Sequence, residues 1–284
     1  MNTIKKLEQK IPLIIRATIA GFSVSTIGIA LWIGVASFIP SPWFLIVIII
    51  ILGVYWKYFS GSWGLRQTKI MRAANFRSTK LSTRTWKYGL LSAGILVILL
   101  QSSIVLTFRL IEYPSEHFKQ SYTYLGNLPT GMAWLVLIMS SLVAGICEEI
   151  GYRGYLQAPL EKKYNLRTAN IITSVVFVII HLHQAWAAPV ILHIFLISMA
   201  LGYLAQTFSS LIPGIIAHSI FDIFNFSYWW SDVLGEFTRK PISITGIDSH
   251  FILTILMFMF SLIAFFGIIK KYKKNEFGEV SLSQ

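Results

Sequence analysis

The sequence predicts an all-α fold: a polytopic bundle of transmembrane helices with about eight spans. Of the 284 residues, 55% are hydrophobic and only 13% are charged, about half the charged fraction of a typical soluble domain. Apolar stretches of about 18 or more residues recur, and each can cross the roughly 30 Å hydrocarbon core of a bilayer. The stretches lack the ten-residue alternation of membrane barrel strands, so we interpret the spans as helices.

The apolar runs define the spans, and charged or turn-forming residues bound them. The first run, 17–38, exceeds the 7–15 residues of a signal-peptide core, so we expect it to be a retained helix. The predicted spans are 17–38, 43–59, 88–108, 131–150, 168–187, 189–208, 211–230 and 250–269.

The net charge of +12 is concentrated beside the apolar runs. Eight basic residues and no acidic residue lie between Lys57 and Lys87, and further lysines cluster near both termini. The positive-inside rule then predicts that this loop and both termini are cytoplasmic. We expect these clusters to contact anionic membrane lipid, and their position beside spans argues against nucleic-acid binding. Cys147 is the single cysteine, which excludes an intramolecular disulfide, and we interpret it as a packing residue.

A small group of ionisable residues falls within the apolar runs. Such groups are costly in hydrocarbon and usually face the protein interior or a water-filled cavity. We expect His183 and His193 to be structural or interfacial. The ionisable residues within or beside these runs are Glu148, Glu149, Asp222, His181, His183, His193 and His218.

Helical spacing assigns different positions to the two adjacent glutamates. Glu149 and Arg153 are four residues apart and share a helix face, so Glu149 is the expected partner of the buried guanidinium. Glu148 points about 100° away and is available for another role. His218 and Asp222 are also four residues apart, which places an imidazole and a carboxyl group on one face.

One carboxylate and two imidazoles on three helices can perform acid–base chemistry. In the set Glu148, His181 and His218, a carboxylate or an imidazole could take a proton from water while a second group stabilises a developing oxyanion. The same three side chains are an alternative ligand set for a divalent metal such as zinc. Asn225 lies one turn beyond Asp222 and is a candidate to assist. The residues alone leave the choice between metal and metal-free chemistry open.

Three motifs in order carry a family resemblance: "EEIGYR" at Glu148–Arg153, "FVIIH" at Phe177–His181 and "HSIFD" at His218–Asp222. Together they resemble the CAAX protease and bacteriocin-processing (CPBP, or Abi) family of intramembrane proteases. The resemblance implies a helical bundle whose site lies in a cavity open to the cytoplasmic side.

The resemblance also implies a role for each motif residue. Glu148 would activate water together with His181, while His218 and Asp222 would stabilise the oxyanion or position the water. Glu149 and Arg153 would support the site. The chain departs from the better-studied prenyl proteases at Asp222, where they have asparagine. An ionised aspartate cannot donate a hydrogen bond to an oxyanion, whereas an amide can.

The resemblance covers about a third of the chain and divides it into three regions. Residues 1–130 would hold N-terminal helices and the basic loop, 131–231 the catalytic core, and 232–284 the last helix and a basic tail. The expected activity is endopeptidase cleavage of membrane-associated peptides or proteins. The alternatives are a non-proteolytic membrane immunity or regulatory protein of the same fold, as in bacteriocin immunity, and an ion carrier. We expect a multi-pass protein of a bacterial cell membrane.

Overall fold

The computed structural model describes residues 11–39, 42–77, 80–111, 123–184, 188–231 and 240–280, and these ranges contain helices and no strand. This confirms the all-α prediction for that part of the chain. Residues 1–10 and 281–284 lie outside the described ranges, so the predicted cytoplasmic termini do too. The main helices are α1 (Leu13–Phe38), α2 (Trp43–Phe59), α3 (Lys69–Phe76), α4 (Thr83–Leu110), α5 (Thr130–Glu148), α6 (Leu166–Ile180), α7 (Ala188–Phe208), α8 (Ile212–Trp230) and α9 (Ser249–Val280).

Shorter helical segments complete the described ranges. After α5 the chain continues without a break as a π-helix and then a last α-helical turn. One-turn helices connect several of the longer elements. These segments are Arg66–Thr68, Thr123–Gly126, Glu149–Gln157 (the π-helix), Ala158–Glu161, Leu182–Gln184 and Ile242–Thr245.

Five helices are long and apolar enough to cross a membrane, judged by length and composition within the described residues. They are α1, α4, the continuous helix Thr130–Glu161, α7 and α9, with α9 counted to Glu276. Helices α2 and α6 are apolar but shorter, at 17 and 15 residues. A helix lies at each of the eight predicted positions, but the span count of eight and the orientation stay predictions.

Two predicted span boundaries are wrong, and both bear on the site. The span predicted to end at 150 continues to Glu161, because the charged groups that suggested a helix end are paired inside the protein. The span predicted to reach 187 has its helix end at Ile180. There the imidazole Nδ1 of His181 lies 2.8 Å from the Phe177 carbonyl oxygen and shares it with the backbone N–H. The Leu182–Gln184 turn follows, and residues 185–187 lie outside the described ranges.

Local sequence explains where several helices begin. The Ser82 side chain accepts a hydrogen bond from the Thr85 amide at the start of α4, and the Asn165 side chain accepts one from the Thr168 amide at the start of α6. Both satisfy amides that the first helical turn leaves unpaired. Pro213 lies in the first turn of α8, where its missing N–H costs nothing.

The π-helix lies at the centre of the packing. Helices α1, α3 and α6 all contact it, while α8 packs along α5 and α4. A Cβ atom on Gly151 would lie 2.6 Å from the Gly21 carbonyl oxygen of α1. Only a residue without a side chain allows this approach. The first helix therefore packs directly against the segment that carries the site, a role that sequence reasoning did not assign to it.

Candidate active site

The two glutamates lie where an α-helix changes into a π-helix. Glu148 is the last residue of α5, and Glu149 is the first of the nine-residue π-helix, all of whose residues are buried. π-Helices are rare and frequently occur at functional sites. The π-helix has a wider turn than the α-helix, and it begins between the two glutamates that the sequence placed on different helix faces.

The Glu149 carboxylate contacts two partners through one oxygen atom. Its Oε1 atom lies 2.9 Å from an Arg153 guanidinium nitrogen and 2.9 Å from Nδ1 of His218. Arg153 also donates to the backbone carbonyl and hydroxyl oxygens of Ser198 on α7, each at 3.1 Å. Its guanidinium lies 4.8 Å from the centre of the Phe177 ring. Glu149 therefore connects α8 to the π-helix, beyond the Arg153 pairing that the sequence predicted, while Arg153 connects α7 to it.

His218 is oriented by Glu149 rather than by Asp222. Because its Nδ1 atom donates to Glu149, its Nε2 atom points to the other side of the ring. That nitrogen lies 3.9 Å from Oε2 of Glu148 and 3.6 Å from Oδ2 of Asp222. The i,i+4 pairing of His218 with Asp222 is present, but it involves the nitrogen that faces the cluster. Asp222 therefore lies beside the same space as Glu148.

His181 reaches the same carboxylate from α6. Its Nδ1 donates to the Phe177 carbonyl oxygen at 2.8 Å, and its ring stacks on Phe177 with centroids 4.2 Å apart. The tautomer that donates from Nδ1 leaves Nε2 directed at Oε2 of Glu148, 3.7 Å away. Phe177, the first residue of its motif, therefore fixes the imidazole through both its backbone and its ring.

One carboxylate oxygen thus lies between two imidazole nitrogens from two other helices. The simple depths of the predicted spans place His181 and His218 about 10 Å apart along the membrane normal. In the structure both Nε2 atoms lie within 3.9 Å of Oε2 of Glu148, so the helices do not follow these simple depths. The gaps of 3.7 and 3.9 Å are longer than direct hydrogen bonds and suit a bridging water.

Exposure separates the cluster into two groups. The side chains of Glu148, His181 and Asp222 each retain 11–13% of their surface exposed and that of His218 retains 7%, whereas Glu149 and Arg153 retain none. A group that acts on a substrate must be reachable, and a supporting group need not be. The geometry therefore agrees with the separate duties that the resemblance implies for the two glutamates.

The charges of the cluster require shared protons. Glu148, Glu149 and Asp222 supply three carboxyl groups. Among the described residues, Arg153 supplies the one permanent cation in direct contact with them. Uncompensated charge in a buried site is costly. Neutrality is reached when two protons are distributed over the two imidazoles and the carboxyl groups. Such a cluster can take up or release a proton during a reaction without leaving a large net charge.

The side chains of the cluster do not fit the metal alternative in their present arrangement. Among the described residues, no group of three or more His, Cys, Asp or Glu side chains is placed so that it would hold a metal ion.

The other candidates from the sequence lie outside the cluster. Oδ1 of Asn225 accepts a hydrogen bond from the Trp229 indole at 3.1 Å, which is a contact within α8. His193 lies within hydrogen-bonding distance of Thr107 and of the Pro189 carbonyl oxygen, which is a structural environment. His183 is exposed, and Cys147 is fully buried.

A polar stripe that sequence reasoning missed extends from the site along the helix. Gln157 and Glu161 continue the four-residue spacing of Glu149 and Arg153. The Gln157 amide donates to Glu161 at 2.8 Å, and Arg77 at the end of α3 pairs with Glu161 at 2.8 Å. The signal was the spacing 149–153–157–161, which places all four polar side chains on one face.

Comparison with known proteins locates the family relationship in this same region. Residues 130–224 match the family model described as Rce1-like, type II CAAX prenyl endopeptidase. This Rce1-like segment begins with α5 and ends two residues beyond Asp222, so it contains every residue of the cluster. The match confirms the resemblance based on the motifs and supports a membrane protease. It spans about a third of the chain. No curated protein and no solved structure matches the chain.

Proposed function

We propose that the protein is an intramembrane endopeptidase that hydrolyses peptide bonds of membrane-associated peptides or proteins. The observation that carries the proposal is the Glu148 carboxylate held between the Nε2 atoms of His181 and His218, at 3.7 and 3.9 Å. These atoms come from three helices and from all three family motifs. The family description of the Rce1-like segment supports this class of reaction.

In the proposed reaction, Glu148 and His181 bind the attacking water. The Glu148 carboxylate takes one proton as the water oxygen bonds to the scissile carbonyl carbon, and the carbonyl π-electrons move onto its oxygen. His181 accepts a hydrogen bond from the water at Nε2, because its Nδ1 proton is engaged by Phe177. Collapse of the tetrahedral intermediate breaks the C–N bond, and Glu148 returns the proton to the leaving amine.

The developing oxyanion would be stabilised by His218 and Asp222. When His218 carries both ring protons, its Nδ1 donates to Glu149 and its Nε2 presents an N–H donor to the oxyanion. Asp222 can donate only when it is protonated. This is one of the protonation states that the charge balance of the cluster allows, and it would let Asp222 donate a hydrogen bond as an asparagine amide can.

The substrate is proposed only by class. The family description names prenyl endopeptidases, so lipid-modified peptides are the first class to test. Peptides and membrane proteins without a lipid modification are the second. The alternative function, a non-proteolytic immunity or regulatory protein of the same fold, would use the cluster for stability alone.

A peptidome comparison tests the proposal while the substrate is still unidentified. Wild-type protein and the Glu148→Gln variant are expressed at matched membrane levels, and the peptides and new protein N-termini of the membrane and secreted fractions are identified by mass spectrometry. Lys57→Gln, which alters an exposed charge outside the cluster, is the control. We expect cleavage products in wild type and control that are absent in the Glu148 variant. Identical products in all three would favour the non-proteolytic alternative.

A further inference from the structure

A second region of the structure, separate from the catalytic cluster, has the features of a ligand site. A cavity of about 1260 Å³ lies among α4, α7 and α9, with the first turn of α6 at one end. None of the five acidic and histidine residues of the proposed site lines it. Its lining combines charged residues at one end with apolar side chains along its length.

The charged end lies where α4 and α6 begin and α7 ends. Lys80, Arg167 and Lys273 are exposed there together with one acid, Glu276. Within the described residues, neither Lys80 nor Arg167 has an ion-pair partner. Lys273 contacts the Tyr203 hydroxyl at 3.3 Å, and its ammonium lies 4.9 Å from the centre of that ring. This end of the cavity therefore has an excess of positive charge available to an anion.

The remainder of the cavity is apolar and elongated. Leu96 and Leu100 of α4 and Phe265 of α9 form buried walls, while Leu196 and Phe266 are 48% and 56% exposed. Along α9, Lys273 lies fifteen positions after Phe258, a distance of about 22 Å along the helix. Half of the hydrocarbon core, the depth that one acyl chain occupies, is about 15 Å. A polar head and an acyl chain both fit this length.

We propose that this cavity binds one anionic phospholipid from the surrounding bilayer. The headgroup phosphate contacts Lys80, Arg167 and Lys273, and an acyl chain lies along the walls formed by α4 and α9. A soluble anion would leave the apolar walls without a partner. A zwitterionic lipid would not use the excess of positive charge, because basic residues near a membrane surface favour anionic headgroups. The site is independent of the proposed peptidase activity.

The test uses the purified full-length protein in detergent and two lipids with the same acyl chains, palmitoyl-oleoyl-phosphatidylglycerol and palmitoyl-oleoyl-phosphatidylcholine. Native mass spectrometry measures the retention of each lipid, and the unfolding temperature is followed in parallel because a ligand stabilises the folded state. We expect wild type to bind the anionic lipid at least about tenfold more tightly. Equal binding of the two lipids would overturn the proposal, and this comparison needs no variant.

Two variants locate the site. The triple variant K80Q/R167Q/K273Q should lose the preference for the anionic lipid by about tenfold or more, whereas K57Q/K162Q/K163Q, which removes three exposed charges outside the cavity, should keep it. Ala200→Trp places a large ring in the cavity and should reduce retention of the lipid. The proposal would be contradicted if K80Q/R167Q/K273Q kept the preference for the anionic lipid, or if Ala200→Trp retained the lipid as wild type does. Displacement of the lipid by inorganic phosphate would also contradict it.

Discussion

Replacing Glu149 by glutamine should destabilise the protein strongly, whereas the same change at Glu148 should not. The Glu149 side chain is fully buried, and a single oxygen serves both Arg153 and His218 at 2.9 Å. Glutamine keeps the size and one oxygen but removes the charge. Arg153 would then remain a buried cation whose other hydrogen-bonding partners are the neutral oxygens of Ser198.

The expected magnitude follows from breaking a buried ion pair on one side. Such changes cost about 3–5 kcal/mol, because the remaining charge stays buried without compensation. For a chain of this size, that lowers the unfolding midpoint by roughly 10 °C. Oε2 of Glu148 instead faces its two imidazole nitrogens across 3.7 and 3.9 Å, and its side chain is partly exposed. Its replacement should therefore change the midpoint by less than about 3 °C.

The assay is thermal unfolding of both purified variants in the same detergent, followed by intrinsic tryptophan fluorescence. Size-exclusion chromatography at low temperature establishes that each variant is folded at the start. Equal midpoints for the two variants, or a larger decrease for Glu148→Gln, would refute the assignment of the supporting role to Glu149.

Three further outcomes test other parts of the structure. Asp222→Asn should keep the cleavage rate within about tenfold of wild type, because an amide also donates a hydrogen bond. Asp222→Ala should lower the cleavage rate by a factor of about 10²–10³. An inactive Asp222→Asn variant would contradict a donor role for Asp222. Gly151→Ala should cost about 1–3 kcal/mol of stability by pushing α1 away. The control is Gly267→Ala, whose added Cβ has open space and should cost nothing. Equal unfolding midpoints for the two variants would contradict the close-packing argument. Hydrogen bonds from the Arg109 guanidinium lower the pKa of the Asp248 carboxyl. The stabilisation from the contact between Asp248 and Arg109 should therefore be complete above about pH 4 and be lost as the pH falls through the lowered pKa of Asp248. The unfolding midpoints of wild type and Asp248→Asn should converge only below about pH 4. A difference between the two midpoints that does not change with pH would contradict this.

The motif residues could be predicted from sequence because each leaves a local signal. Charged or imidazole groups inside apolar runs are rare enough to be noticed, and four-residue spacing identifies Glu149 with Arg153 and His218 with Asp222. The structure places all of these groups in one cluster. The positions of the helices follow from the apolar runs in the same way.

The missed features depend on contacts between distant parts of the chain. Nothing in the local sequence indicates that Glu149 accepts a hydrogen bond from His218, because the two residues are 69 positions apart. The π-helix has no clear periodic signal. The spacing of Glu149 and Arg153 predicts their pairing, but nothing local indicates that the helix continues past this pair to Glu161. The role of α1 depends on Gly21 meeting Gly151, and either glycine alone resembles any small residue in a membrane helix.

The most direct test of the central claim is the cleavage rate of purified Glu148→Gln on a substrate identified by the peptidome comparison. Measured with and without a chelator, wild type should cleave at the same rate in both conditions. The variant should be about 10²–10⁴ times slower while keeping its unfolding midpoint, because a general base contributes a factor of that order. A folded Glu148→Gln protein that cleaves at the wild-type rate would contradict the account.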